Sequence, residues 1–172
     1  VIPHETVIYF QMLLSLLQPK RILEIGTAIG FSALIMAQEI PNAEIVTIDR
    51  NPEMIELAKK NLCKYYHRNQ IILKEGDAAD ILKELSGSFD VIFMDSAKSK
   101  YIEFLPIALD LLSENGVILM DDIFQGGEIL TPIMEIKRNL RALERGLRKL
   151  FDEVLDNPKY LTSILPLGDG LL

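Results

Sequence analysis

Two hydrophobic periods alternate along the chain. Residues 22–25, 44–48, 70–74, 90–94 and 116–120 read ILEI, EIVTI, QIILK, DVIFM and GVILM, short and nearly continuous apolar runs. Runs of that kind are what strands buried on both faces look like, and they predict a parallel sheet. Between them, residues 31–40, 53–63, 78–85 and 100–112 carry the 3.6-residue pattern of helices. Ahead of the first run, residues 5–18, ETVIYFQMLLSLLQ, are apolar nearly all round and predict a buried helix stopped at Pro19. After the last run, a long helix is expected over 132–155. The tail LTSILPLGDGLL, residues 161–172, predicts one or two further strands around the turn at Gly168 and Gly170. Strict alternation of strand and helix gives an open, doubly wound α/β sheet with helices on both faces. No internal repeat, linker or low-complexity segment interrupts it, so residues 1–172 read as one domain.

The stretch RILEIGTAIGFSALIM, residues 21–36, joins the first strand to the first intervening helix through Gly26 and Gly30. Glycines there let the backbone turn tightly and approach a ligand, and the free N–H groups of the following helix attract an anionic group. The third glycine of the dinucleotide fingerprint is missing, which argues for a nucleotide-like ligand other than NAD or FAD. The second strand ends in Asp49, placed to accept hydrogen bonds from ribose hydroxyls. The competing reading makes Asp49 the cap of the helix beginning at Pro52, a role Asn51 fills equally well.

Composition narrows the setting. The chain has 172 residues, mean hydropathy +0.20 and a formal charge of −7. No apolar run approaches the length of a membrane span, and the acidic balance disfavours unspecific binding to nucleic acid. A single cysteine, Cys63, excludes an intramolecular disulfide and multi-cysteine zinc sites; with no secretory signal peptide visible, a cytoplasmic location is the default. His4 and His67 are the only histidines, so histidine-rich metal sites are excluded. The start at Val1 and the stop at Leu172 within a strand pattern lead to the expectation that both ends have been trimmed.

Acidic residues fall at a special place on this scaffold. Asp49 ends the second strand, Asp77 follows the third, Asp95 ends the fourth, and Asp121 with Asp122 ends the fifth. All five lie at the carboxyl edge of one parallel sheet, where such sheets bind ligands. Asp95, Asp121 and Asp122 supply oxygen ligands only, a set suited to Mg²⁺ or Mn²⁺ and unsuited to zinc. Lys98, three residues past Asp95, is placed to take a proton from a hydroxyl held by that cation. Lys100 reads as an ordinary surface lysine.

The segments EIGTAIGFSAL, TIDRNPEM, EGDA, FDVIFMDSAKSKY, NGVILMDDIFQGG and LPLGDGLL occur in that order over nearly the whole chain. Together they resemble the metal-dependent, S-adenosylmethionine (SAM) O-methyltransferases related to catechol and caffeoyl-CoA O-methyltransferases. The resemblance implies a seven-stranded sheet with an antiparallel C-terminal hairpin, preceded by N-terminal helices, and a homodimer. It places the methionyl part of SAM at Gly26, Gly30 and Ser32, with Glu24, Phe31 and Asp95 also at the cofactor. Asp49 would take the ribose, Asp77 and Ala78 the adenine, and Asp95, Asp121 and Asp122 the Mg²⁺, with Lys98 as base. The family pattern Asp-Asn is Asp121-Asp122 here, one more negative charge beside the cation.

The acceptor expected is a hydroxyl with a vicinal oxygen, as in a catechol. The alternative is 5-hydroxyuridine in tRNA, whose hydroxyl neighbours a carbonyl. Lys137, Arg141, Arg145 and Arg148 fall on one helical face opposite Leu140, Leu143, Leu147 and Leu150, either a solvated face or a basic stripe for phosphates. A non-catalytic SAM-binding module is the reading from another class; retention of Lys98 and the three aspartates weighs against it. No nucleophile elbow with a placed histidine supports a Ser-His-Asp hydrolase.

Overall fold

A computed structural model describes residues 2–65 and 70–172; His67 lies outside the described residues. The chain order is α1 (His4–Leu17), β1 (Arg21–Ile25), α2 (Phe31–Glu39), β2 (Glu44–Asp49), α3 (Pro52–Tyr65), β3 (Ile71–Glu75), α4 (Ala78–Glu84), β4 (Phe89–Met94), α5 (Tyr101–Leu111), β5 (Leu112–Met120) and α6 (Arg141–Val154). The five strands form one parallel sheet in the order β3-β2-β1-β4-β5. The order reverses between β1 and β4, which opens a crevice at their carboxyl ends.

Residues on successive positions of a strand enter opposite layers, and both are apolar. Ile22 and Ile45 pack with Phe10, Leu14 and Met36 of α1 and α2 on one face. Leu23, Ile25, Val46 and Ile48 pack with Phe104, Leu105, Ala108, Leu147 and Leu150 of α5 and α6 on the other. Each fully buried side chain of this size contributes roughly 2 kcal/mol of hydrophobic stabilisation, so the two layers hold the strand ends rigidly.

Four expectations are corrected. The sheet has five strands among the described residues, not seven, and no antiparallel hairpin closes it. The tail makes one antiparallel bridge, Leu165 to Leu171, and Leu172 exchanges backbone hydrogen bonds of 2.8 and 2.9 Å with Met120. Pro166 removes a donor and Gly168 and Gly170 both take positive φ, so the arms are too short for a ladder. Helix 132–155 begins only at Arg141, because 132–140 turns on itself through bonds such as Glu135 N–H to Pro132 O and Leu140 N–H to Lys137 O. The first helix buries only one side: Thr6, Phe10 and Leu14 are inside, whereas Ile8 (52%), Met12 (51%) and Leu16 (75%) are exposed. Its sequence is apolar all round, but only one face meets the sheet.

Candidate active site

The tight turn after β1 is built as the sequence requires. Gly26 has φ +112, and a Cβ there would stand 1.9 Å from the Asp95 carbonyl oxygen, so only glycine lets the ends of β1 and β4 lie this close. Gly30 takes φ +82 as the N-cap of α2. Across the turn, the Asp49 carboxylate accepts the Ala28 N–H at 2.7 Å and the Asn51 N–H at 2.8 Å. Asn51, not Asp49, caps α3, through the N–H groups of Glu53 and Met54. Asp49 therefore ties the turn after β1 to the end of β2, and keeps lone pairs free for a ligand.

A cavity of about 230 Å³ opens at this edge. Gly26, Asp49, Asp77, Ala78 and Asp95 line it, five of the residues expected at the cofactor. Ligand pockets at the switch point of an α/β sheet are the usual arrangement. Sequence reading missed Arg50, Ser96, Lys100 and Phe104, which also line it. Their signal was position alone, since each follows a strand that ends at the crevice. Lys100 is thus more than a surface lysine, although it is exposed and pairs with Glu103 at 2.7 Å.

Asp77 has two jobs already: it caps α4 through the Ala79 N–H at 2.9 Å and pairs with Arg50 at 3.1 Å. The Ala79 bond first, then Arg50, holds its carboxyl below the ordinary value. Glu24 and Ser32 do not line the cavity. Glu24 is fully buried behind it, where its carboxylate accepts the hydroxyls of Ser32 and Thr47. Burial pushes the Glu24 carboxyl up to about 7, only partly offset by those two hydroxyls. Gly30 and Phe31 start α2 beyond the cavity lining, with Phe31 exposed.

The acids of β4 and β5 meet beside the cavity, with Lys98 between them. Lys98 Nζ lies 3.0 Å from Asp95 Oδ1 and 3.2 Å from Asp122 Oδ2. Burial of the amine, which alone would lower its pKa, is outweighed by the charges of Asp95 and Asp122, and the net shift is upward. Lys98 as arranged is an ammonium. Asp121 is buried, its Oδ1 has no hydrogen-bond partner, and burial with the neighbouring acids pushes its carboxyl up to about 6. Asp122 itself has φ +56, a conformation Asp tolerates better than most residues.

These observations bear on the expected cation. Among the described residues no three acids stand grouped as a metal site, and the Lys98 ammonium lies between Asp95 and Asp122. The donor chemistry nevertheless fits a hard cation, since an all-oxygen set includes one buried oxygen with nothing to bind.

The basic stripe of α6 has a different use from the one its pattern allowed. Arg148 donates to the carbonyls of Ile129 and Thr131, and Arg141 to those of Ile136 and Met134 at 2.9 and 2.8 Å. Two of the four cations therefore fasten the segment that follows Asp122, while Lys137 and Arg145 stay exposed. Among the described residues no helix is long and apolar enough to cross a membrane.

The fold is a doubly wound α/β sheet whose switch point carries a glycine turn, a cavity lined by acids and a lysine paired with two of the acids there. The family model described as O-methyltransferase matches residues 1–172, and the chain belongs to that family. It is 35% identical over 127 residues to a catechol O-methyltransferase of Niastella koreensis, covering 71% of this chain and 58% of that protein. It is 30% identical over 171 residues to the caffeoyl-CoA O-methyltransferase of Medicago sativa, covering 95% of this chain and 69% of the relative. The SAH-bound structure of the Podospora anserina methyltransferase PaMTH1 superposes with a TM-score of 0.85 at 32% identity, over 96% of this chain and 75% of that one.

Proposed function

We propose that the chain transfers a methyl group from SAM to a hydroxyl that has a vicinal oxygen, as in a catechol or a related small acceptor. The observation that carries this reading is the cavity at the switch point, lined by Gly26, Asp49, Asp77 and Asp95, with the Lys98 amine held against Asp95. The family, and the SAH held by a 32%-identical neighbour, support SAM as the donor.

In this reading the Gly26 turn and Asp49 hold the methionyl and ribose parts of the donor, and Asp77 with Ala78 flanks its adenine. Lys98 holds the proton that leaves the acceptor hydroxyl. The acceptor oxygen forms a bond to the methyl carbon, the carbon–sulfur bond breaks with its electron pair going to sulfur, and the products are a methyl ether and S-adenosylhomocysteine. The protein's work is mainly orientation, because the sulfonium supplies the leaving-group chemistry.

Asp95, Asp121 and Asp122 are the residues that would hold Mg²⁺. When bound, the cation supplies positive charge that lowers the pKa of a nearby hydroxyl. Lys98, an ammonium between Asp95 and Asp122 here, would be the neutral amine that takes the acceptor proton if the charge of those acids were met by such a cation.

The test is methyl transfer from labelled SAM to a simple catechol and, in parallel, to tRNA bearing 5-hydroxyuridine, each with Mg²⁺ and with EDTA. Transfer to the catechol that EDTA abolishes and Lys98→Ala lowers at least tenfold is the expected result. Transfer to tRNA alone would overturn the acceptor assignment, and SAM binding without transfer to either would favour a non-catalytic module.

A further inference from the structure

The hydroxyl of Tyr101 sits at a junction that its ring does not need. Tyr101 opens α5 and is fully buried, and its ring packs in the apolar layer with Phe104, Leu105 and Leu147. A phenylalanine would fill that space as well, whereas a buried phenol must find partners. It finds three, all on the backbone. Its O–H donates to the Met94 carbonyl at 2.8 Å, its oxygen lies 3.2 Å from the Asp121 carbonyl, and it accepts the Ser96 N–H at 3.3 Å.

Those three groups have one thing in common. Met94 and Ser96 flank Asp95 in sequence, and Asp121 is the acid that ends β5. The same Met94 carbonyl also accepts the Asp121 N–H at 3.0 Å. One side chain thus touches the backbone on both sides of Asp95 and on Asp121. The Lys98 Nζ stands 6.0 Å from the centre of its ring.

We propose that Tyr101 is a positioning residue for methyl transfer: its hydroxyl sets the ends of β4 and β5 against each other, and with them Asp95, Lys98 and Asp122. The proposal rests on the methyl-transfer reading above. Tyr101 is not among the residues that line the cavity, so it acts without touching a reactant. Its effect passes through the backbone of the acids, where a misplacement of about 1 Å costs on the order of a hundredfold in rate.

The experiment compares wild type with Tyr101→Phe, which keeps the ring and removes only the hydroxyl. Two readouts are taken on protein shown to be folded by circular dichroism. The first is steady-state transfer to catechol together with SAM affinity by calorimetry. The expected result is kcat lowered at least tenfold, with the SAM Kd and the acceptor KM changed by less than about twofold. The second is amide hydrogen exchange, expected to rise about tenfold or more at Ser96 while Gly26, bonded instead to Ile48, is unchanged.

A purely structural hydroxyl would lower the melting temperature and leave kcat per folded molecule as in wild type, and that result overturns the proposal. Unchanged exchange at Ser96 overturns it too, whatever the rate. If wild type itself transfers no methyl group, the functional reading falls. Faster exchange at Ser96 in the variant would then show that the hydroxyl still sets the strand ends, and equal exchange would remove that role as well.

Discussion

Lys98 Nζ lies 3.2 Å from Asp122 Oδ2, so the residue expected to act as base is paired, besides Asp95, with the acid that stands where the resemblance implies an amide. An amide at position 122 offers no charge to favour the ammonium, and the Lys98 pKa then moves down. A neutral amine is needed for proton removal, so turnover of Asp122→Asn rises with pH earlier than that of wild type. The pH–rate profiles of the two proteins, read on kcat, check this; superimposable profiles would show that Asp122 does not set the state of Lys98.

Asp121 leads to a prediction that needs no acceptor. Its Oδ1 is buried and unpartnered, a costly arrangement unless a ligand binds there. Mg²⁺ that binds only the folded state raises stability by about 3 kcal/mol at a hundredfold excess over its Kd. Wild type is therefore expected to melt at a higher temperature with Mg²⁺ than with EDTA. Asp121→Ala should abolish the difference, and differential scanning fluorimetry reads both.

Gly26→Ala tests the turn itself. The new Cβ would meet the Asp95 carbonyl oxygen at 1.9 Å, in a backbone conformation with φ +112 that side chains resist. Relief requires moving Asp95, whose N–H bonds to Ile25 O at 3.0 Å and holds β4 to β1. Strain and displacement together should cost about 3 kcal/mol, with loss of SAM binding. Chemical denaturation and calorimetry measure the two effects.

Arg148→Met should loosen the segment after Asp122 without touching the cavity. The carbonyls of Ile129 and Thr131 lose their donor, and Glu144, already buried with both oxygens unpartnered, loses the positive charge that opposes the upward shift of its carboxyl. Limited proteolysis is expected to cut near Leu130, which is 87% exposed, faster than in wild type. Equal cutting rates would mean that the segment is held by something other than α6.

The sheet and its acids were legible in the sequence because both follow from local pattern. Continuous apolar runs such as DVIFM cannot be solvated strands, and an acid ending such a run marks the open edge. What was not legible depends on partners far along the chain. Arg141 and Arg148 look like a basic stripe on a helical wheel, and only the path of residues 129–136 shows that backbone carbonyls claim them. The resemblance places Glu24 at the cofactor; in the fold alternation along β1 directs its carboxyl to Ser32 and Thr47, a placement that local pattern does not show, and it does not line the cavity. The hydroxyl of Tyr101 gave no periodic signal at all.

Glu24 also makes stability depend on pH in a direction unusual for an acid. Its carboxyl titrates near 4.5 in an unfolded chain and at about 7 in the fold, where burial is the main cause. Between those values the unfolded state gives up its proton while the native state keeps it, so unfolding becomes easier as pH rises. The contribution is fully present below pH 4.5 and is lost by the time pH passes 7, a difference of roughly 3 kcal/mol. Glu24→Gln carries no titrating proton and still offers an oxygen to the Ser32 hydroxyl. Its stability should vary less between pH 5 and 8 than that of wild type, with its largest gain over wild type at the alkaline end. Urea denaturation across that range measures the slope directly. A variant whose stability tracks wild type at every pH would mean that Glu24 is already ionised in the fold, and that Ser32 and Thr47 stabilise a carboxylate there.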